Sequence, residues 1–385
     1  MSAYPVGILF SRSGSYSRPA GQGYFGAMAA IADVNADPRY PFKLEAHHAD
    51  PEGNADRYAT LCRNLIRNTG AQHVVGCTTS WSRKEVIPVV EKLDALLWYT
   101  CVYEGFEVSD NLVYIAACAN QHLVPLLDYI VPRFGARAFL TGSNYIWGWE
   151  TNRIARDVLC RSGGSVLGER YVPIGDEDIA HLIEEIRAKR PDFILNNLIG
   201  PSSYTFLAAL RALGEEDEAF RPENCPVISC NLCESETALL GEVAAGHYTV
   251  SSYFRSLAGS ENSLFAERVK AEKPGFLADA FFVQAYTAVT MIAEAIRHIG
   301  TDSAQAVLEY VRTETTSTPL GPVQVDRATN HVNLHAHIGR ARRDGDFDVV
   351  HLSESTIAPD PFLTATVLER PYAGMAGTQR LRVVR

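Results

Sequence analysis

Short apolar runs alternate along most of the chain with segments whose apolar residues recur every three or four positions. A short run is typical of a buried strand, and the longer period is typical of a helix with one buried face. The predicted strands are Val6–Phe10, Phe42–Ala46, Val74–Gly76, Ala95–Tyr99, Leu112–Ala116, Ala138–Gly142, Val166–Val172, Phe193–Leu195, Pro226–Ser229 and Tyr248–Tyr253. The predicted helices cover residues 27–32, 57–68, 86–93, 123–134, 150–160, 179–188, 204–213, 262–270 and 277–299. Such regular alternation predicts an α/β fold.

The alternation starts afresh near residue 119, so that two α/β blocks of similar size follow one another. A chain of 385 residues is long for one core and suits two domains. After the second block, Pro319–Val325 and Asn333–Ile338 predict antiparallel strands joined through a turn. We therefore expect two doubly wound α/β lobes followed by a mixed tail.

The stretch Val74–Tyr114 predicts a β-α-β unit whose two strands both run into polar side chains. Ligands of open parallel sheets bind at the carboxyl ends of the strands. The first amides of the following helix have no acceptors within that helix, so they are free to donate to a small polar ligand. The candidate positions are Thr78, Thr79, Ser80, Tyr99 and Cys101. We interpret this stretch as half of a ligand site.

The second block repeats the arrangement. Asn144, Tyr145 and Trp147 follow its first predicted strand, and Ser202 and Ser203 follow its third. Each of these residues alone is equally well explained as a helix cap or a packed aromatic side chain. Together, hydroxyls, a helix N-terminus and aromatic walls at facing sheet edges favour a small neutral polar molecule closed between the two lobes.

The composition is that of an ordinary globular protein, with 46% hydrophobic and 21% charged residues. A net charge of −10 argues against direct nucleic-acid binding, and no apolar run approaches the roughly 18 residues that membrane insertion requires. The first residues lead straight into a predicted strand, without the regions of a secretory leader. The eight cysteines are not spaced as a disulfide framework. We expect free thiols and a cytoplasmic location, or a periplasmic one if a leader has been removed.

Several motifs favour ordinary structural roles. Gly21–Gly26 has the pattern G-x-G-x-x-G, but about ten residues separate it from the preceding strand, whereas a dinucleotide site needs its first glycine directly after that strand. Cys230 and Cys233 lack the further ligands of a zinc site. His335 and His337 lie in a predicted strand, and we expect them to face opposite ways and not to share a metal. We expect no metal and no cofactor, and no catalytic motif indicates an enzyme.

Several motifs, in order along the chain, resemble the type I periplasmic-binding-protein family. Within it the chain is most similar to the amide sensors of aliphatic amidase operons (AmiC-like proteins), and next to the binding proteins of urea and short-amide importers. The motifs are Asp50-Pro51-x-Gly53, Asp56-Arg57-Tyr58, Val75-Gly76-Cys77-x-x-Ser80-x-x-Arg83-Lys84, Pro88-Val89-Val90-Glu91, Tyr103-Glu104-Gly105-Phe106-Glu107, Gly142-Ser143-x-Tyr145, Gly321-Pro322-Val323 and Pro359-Asp360-Pro361. The likeness extends from about Val6 to Phe362.

The resemblance implies two lobes joined by three crossovers, with the ligand between them. It implies an N-terminal lobe of residues 1–118 and 252–326 and a C-terminal lobe of residues 119–251 and 327–385. Ser80 would bond the amide through its hydroxyl and backbone amide, Tyr99 and Tyr145 would wall and bond it, and Cys101 would contact it. Thr78 and Trp147 fall where the AmiC-like sensors carry tyrosines. Cys101 and Val102 replace a Thr-Pro pair of those sensors, so this segment is expected to tune ligand choice.

Two functions follow from the resemblance. As a cytoplasmic sensor, the chain would hold an RNA-binding antiterminator (AmiR-like) until a short neutral amide or urea-like ligand binds, because the ligand favours one arrangement of the lobes. As the substrate-binding subunit of an ABC importer, it would deliver a similar solute to a membrane permease. The resemblance favours the sensor, with the importer subunit as the alternative, and assembly into a homo-oligomer stays open.

Overall fold

A computed structural model of the chain describes residues 2–272, 278–370 and 372. The strands are β1 (Ser2–Leu9), β2 (Phe42–Ala49), β3 (His73–Gly76), β4 (Leu96–Tyr99), β5 (Leu112–Tyr114), β6 (Arg137–Ser143), β7 (Ser165–Val172), β8 (Phe193–Asn197), β9 (Val227–Ser229), β10 (Tyr248–Ser251), β11 (Thr316–Thr318), β12 (Gly321–Val323), β13 (His337–Ala341) and β14 (Phe347–His351). The α-helices are α1 (Ser17–Ala36), α2 (Tyr58–Thr69), α3 (Ser80–Lys92), α4 (Leu123–Phe134), α5 (Ile146–Arg161), α6 (Ala180–Lys189), α7 (Pro201–Glu216), α8 (Glu234–Leu240), α9 (Ser260–Glu272), α10 (Ala280–Ile299) and α11 (Ala304–Thr313).

The first sheet consists of five parallel strands in the order β2-β1-β3-β4-β5. Its central strands β3 and β4 are buried along their whole length, as expected for a parallel sheet covered by helices on both faces. Helices α1, α10 and α11 supply one side of its core, and helices α2 and α3 supply the other. The first α/β block of the sequence prediction is thereby confirmed.

The second sheet has seven strands in the order β14-β13-β10-β9-β8-β6-β7. The five strands β6 to β10 are parallel, and β13 and β14 are added antiparallel at the edge. The parallel part again has the order 2-1-3-4-5 when its own strands are numbered along the chain. This architecture confirms the predicted doubly wound α/β fold with two such layers.

The glycines of the G-x-G-x-x-G pattern lie inside helix α1. A Cβ added to Gly26 would lie 2.1 Å from the backbone oxygen of Phe282 in helix α10, whereas a Cβ at Gly21 would meet nothing within 4 Å. Gly26 therefore lets two helix backbones pack in close contact, which is the structural role expected for this motif.

Two predictions about the last third of the chain are wrong. Gly321–Val323, within the first expected segment, pairs with Thr316–Thr318 and not with Asn333–Ile338. One isolated antiparallel bridge runs from Val325 to Val332, the residue before the second expected segment. The rings of His335 and His337 stack with centroids 5.2 Å apart and so lie on the same side. Residues two apart on an extended chain share a face, so the expectation that these two rings face opposite ways is wrong. Helices α8 and α11 and strands β11 and β14 were not predicted.

The chain passes three times between the two sheets. It passes after β5, again between β10 and α10, and a third time between β12 and β13, because α10 packs on the first sheet while β13 belongs to the second. The lobe boundaries given above (1–118 with 252–326, and 119–251 with 327–385) stay a prediction, and part of residues 371–385 lies outside the described residues.

Candidate functional site

Both sheets reverse their strand order at one point, between β1 and β3 in the first sheet and between β6 and β8 in the second. At such a switch point the loops leave in opposite directions and open a crevice beyond the carboxyl ends of the strands. Tyr16 lies in the loop after β1, and Thr78 and Ser80 follow β3. Tyr145 and Trp147 follow β6 in the second sheet. The two crevices together form the cleft between the lobes.

An inner cavity of about 30 Å³ lies in this cleft. Residues from both lobes line it, so a molecule held there touches both. Five of the seven predicted ligand residues are among them: Thr78, Ser80, Cys101, Tyr145 and Trp147. The remaining lining residues are Ser15, Tyr16, Pro19, Val102, Ile199, Asn231, Glu236 and Phe281.

An outer cavity of about 420 Å³ adjoins the inner one and shares Ser15, Tyr16 and Tyr145 with it. Thr79, the sixth predicted residue, lines this outer cavity. The rings of Tyr16 and Tyr145 meet edge to face, with centroids 6.3 Å apart. One aromatic residue from each lobe thus stands between the two cavities.

The turn after β3 is shaped by close backbone packing. A Cβ at Gly76 would lie 2.2 Å from the backbone oxygen of Leu9, so only glycine fits there. Cys77 follows with a φ of 65°, a left-handed conformation that non-glycine residues adopt rarely. Thr79 then caps helix α3, its side chain accepting from the Ser82 amide at 2.9 Å. Ser80 is consequently the first helical residue, and its backbone amide has no acceptor within the helix.

Two buried side chains in the inner cavity each carry a polar group that has no hydrogen-bond partner among the described residues. These groups are the hydroxyl of Thr78 and the indole N–H of Trp147, and both side chains are less than 5% exposed. A buried donor without a partner is costly, and native structures rarely retain one without a reason. These two groups are therefore suited to bond a polar ligand.

The hydroxyl of Ser80 is already engaged. It donates to Oε2 of Glu104, and Nη1 of Arg83 donates to Ser80 Oγ over 3.3 Å. Arg83 is fully buried and pairs with both Glu104, at 3.1 Å, and Glu107, at 2.6 Å. Although burial alone would lower it, the pKa of Arg83 is raised well above its usual value by Glu104, Tyr99 and Glu107, so the guanidinium stays charged.

Tyr99, the seventh predicted residue, does not line the inner cavity. It is buried beneath the site, and the guanidinium carbon of Arg83 lies 4.7 Å from the centre of its ring. Its contact with a ligand stays a prediction, whereas its contact with Arg83 indicates a supporting role.

The inner cavity contains one acidic and no basic side chain among the described residues that line it. The acidic residue is Glu236, which accepts a hydrogen bond from the hydroxyl of Tyr204 at 3.0 Å. Burial raises the pKa of Glu236 to about 7 and the pKa of the Cys101 thiol to about 12. The thiol is therefore neutral, and an anionic ligand would meet no side-chain cation in the cavity.

Tyr16 and Glu236 were not predicted as site residues. Tyr16 follows the strand next to the switch point, so the topology would have indicated it once the strand order was known. Glu236 lies on helix α8, which the sequence pattern did not reveal, and no sequence signal identifies it.

All eight cysteines are free, and Cys160 alone among them is exposed. Cys230 and Cys233 are therefore not joined in a disulfide. In the part of the chain that the structure describes, no group of histidine, cysteine and carboxylate side chains is arranged to hold a metal ion. No helix in the described ranges is both long and apolar enough to cross a bilayer.

The family model of the periplasmic binding protein domain matches residues 4–367. The Leu/Ile/Val/Thr-binding protein of Salmonella typhimurium is 22% identical over 331 residues, which cover 83% of this chain and 86% of that protein. A solute-binding protein of an ABC transporter from R. palustris, solved in complex with benzoate, superposes with a TM-score of 0.83 at 16% identity. That superposition covers 94% of this chain and 99% of the other and shows a shared fold.

A shorter match joins this chain to limonene hydroxylase from Geobacillus stearothermophilus, at 33% identity over 127 residues. The matched stretch is 33% of this chain and 23% of that protein. It is too small a part of either chain to carry an activity from one to the other.

Proposed function

The chain belongs to the periplasmic binding protein family, and from this membership we propose that it is the solute-binding subunit of an ABC importer for a short neutral amide or a urea-like solute. The observation that carries the ligand class is the inner cavity, which presents a free indole N–H and a free hydroxyl from opposite lobes. The importer role is supported by the relatives, which include a solute-binding protein of an ABC transporter and a Leu/Ile/Val/Thr-binding protein.

The size of the cavity favours a very small ligand. A single water needs about 10–15 Å³ of such volume, so about 30 Å³ has room for a few non-hydrogen atoms. Urea and acetamide are of this size. Benzoate and branched-chain amino acids, which the relatives are named for or were solved with, are considerably larger.

The charge of the cavity favours a ligand without a net negative charge. A carboxylate leaves water at a high cost unless a cation or several donors compensate for it. Arg83, which contacts Ser80 of the cavity, already has two carboxylate partners. A neutral amide avoids this cost, because its oxygen can accept from Trp147 while its N–H groups donate to oxygens of the site.

Binding between two lobes couples the ligand to their arrangement. Thr78 and Ser80 belong to one sheet and Tyr145 and Trp147 to the other, so a ligand that bonds both sets stabilises the closed cleft over the open one. In an importer the permease recognises that closed form. We propose binding without turnover, and release of ammonia from a bound amide or urea would contradict this.

A second candidate function is a cytoplasmic amide sensor that restrains an AmiR-like RNA-binding antiterminator. The observation that favours it is the state of the cysteines, since all eight are free thiols, as is usual in a reducing compartment. Cell fractionation distinguishes the two: protein in the periplasmic extract supports the importer subunit, and protein confined to the cytoplasm supports the sensor.

The ligand proposal is tested by a thermal-shift screen with formamide, acetamide, propionamide, butyramide and urea beside benzoate, leucine and isoleucine. A ligand at 100 times its Kd stabilises a protein by about 2.7 kcal/mol, which is readily detected. We expect a shift with at least one amide or urea. A shift only with benzoate or an amino acid would overturn the ligand class while retaining the binding function.

A further inference from the structure

Ser80 lines the inner cavity, and its hydroxyl hydrogen is already engaged in a hydrogen bond within the protein. That hydrogen points to Oε2 of Glu104, and Arg83 donates into the hydroxyl oxygen over 3.3 Å. A serine hydroxyl has one hydrogen and two lone pairs, so what remains for a ligand is one lone pair. Toward the cavity, Ser80 Oγ is therefore an acceptor and not a donor.

Glu104 is fixed in the role of acceptor. Its Oε1 accepts a hydrogen bond from Nη2 of Arg83 at 3.1 Å. Glu104 is 1% exposed, so it is a buried carboxylate paired with a guanidinium. Arg83 in turn contacts the rings of Tyr99 and Tyr103, with its guanidinium carbon 4.7 and 4.4 Å from their centres. Packing and charge together hold this arrangement before a ligand arrives, and Glu104 is the one acceptor of the Ser80 hydroxyl among the residues that the structure describes.

We propose that Glu104 determines specificity. Because Glu104 accepts the hydrogen bond that the Ser80 hydroxyl donates, Ser80 Oγ can only accept an N–H from the ligand. This selects primary amides and urea over carboxylates of the same shape. This inference rests on the proposed function, because it takes the inner cavity as the ligand site. A carboxylate has no hydrogen to give to Ser80 Oγ, and its negative charge would lie near that of Glu104. Sites that leave a buried polar group without a partner discriminate strongly against the ligand concerned.

The variant Glu104→Gln tests the proposal without changing the shape of the side chain. With its amide oxygen toward Arg83, the glutamine nitrogen would face Ser80 and donate to Oγ. The Ser80 hydrogen is then free to point into the cavity, where it suits a carboxylate. Glu107→Gln is the matched control, because Glu107 pairs with Arg83 but has no contact with Ser80 among the bonds described.

Titration calorimetry compares acetamide with acetate and propionamide with propionate on the wild-type chain and both variants. We expect the wild-type chain to prefer the amide, and Glu104→Gln to reduce the ratio of amide to carboxylate affinity by about tenfold or more. Glu107→Gln should leave the ratio within about twofold. A folded Glu104→Gln variant that keeps the wild-type ratio, or a Glu107→Gln variant that changes it as much, would overturn the assignment of Glu104.

Ser80→Ala provides a second route if Glu104→Gln does not fold, as judged by circular dichroism. Loss of an acceptor should weaken acetamide binding about fivefold or more and leave acetate within about twofold, whereas equal losses for both would refute the proposal. If the wild-type chain binds neither an amide nor urea, the proposed function fails and this inference falls with it. If it binds an amide but Glu104→Gln and Ser80→Ala both keep the wild-type ratio of amide to carboxylate affinity, the proposal about Glu104 fails and the proposed function stands.

Discussion

Replacement of Trp147 by phenylalanine should weaken ligand binding while hardly changing the stability of the free protein. The indole N–H of Trp147 is buried, lines the inner cavity and has no partner among the described residues. Phenylalanine keeps an aromatic wall and removes this donor. If the N–H bonds the carbonyl of a bound amide, its loss leaves that carbonyl unsatisfied at a cost of about 1–3 kcal/mol, or roughly 5- to 150-fold in Kd.

The effect of this substitution on the stability of the free protein should be small, because two contributions to the free energy of unfolding oppose each other. The smaller ring loses packing at a site that is 3% exposed, which costs on the order of 1–2 kcal/mol. Removal of a buried donor that has no partner stabilises the folded protein by a similar free energy. Weaker binding together with nearly constant stability is the combination that distinguishes a ligand donor from a residue that only packs.

The assay is titration calorimetry with the best amide of the screen, beside thermal unfolding of the free protein. Trp149→Phe is the matched control, since Trp149 lies on the same helix, is 47% exposed and donates to Asn144 at 3.0 Å outside the inner cavity. It should leave Kd unchanged. An unaltered Kd in Trp147→Phe, or a Kd that changes only in proportion to a large loss of stability, would refute the reasoning.

Two further predictions concern stability. Gly26→Ala should destabilise the protein by about 2 kcal/mol or more, because the new methyl group would lie 2.1 Å from the backbone oxygen of Phe282. Gly21→Ala in the same helix should stabilise it by about 0.5–1 kcal/mol, and equal effects of the two substitutions in thermal unfolding would contradict this packing. Burial raises the pKa of Glu234 to about 8 and of Glu236 to about 7, so the folded protein binds these protons more tightly than the unfolded chain does. The resulting stability is fully present below the ordinary glutamate pKa of 4.5 and is lost progressively as the pH rises to the folded pKa values of about 7 and 8. We expect Tm to fall between about pH 5 and about pH 8 and to level off above that, with a smaller fall in Glu236→Gln. A constant or rising Tm across this range would be inconsistent with these buried carboxyls.

Local pattern predicted most of the secondary structure. Helix α4 begins and ends where the periodicity of its apolar residues places it, and the strands of both parallel sheets coincide with apolar runs to within a few residues. Elements with a weak or short pattern were missed, as for helix α8, which has seven residues. His335 and His337 were expected on opposite faces, although residues two apart on an extended chain share a face, and their rings stack accordingly.

For the site, the sequence by itself determined which side chains follow the strand ends, and five of its seven candidates line one cavity. This succeeded because parallel strands carry all their carboxyl ends to one edge, so position along a strand already fixes position in space. The tertiary structure alone decided the rest. It placed Tyr16 and Glu236 in the cavity and turned Tyr99 toward Arg83. It also brought Glu104 to Ser80 from 24 residues away. Such contacts join segments whose separation in sequence carries no spatial signal, and they form only when the crossovers and the sheets are packed together.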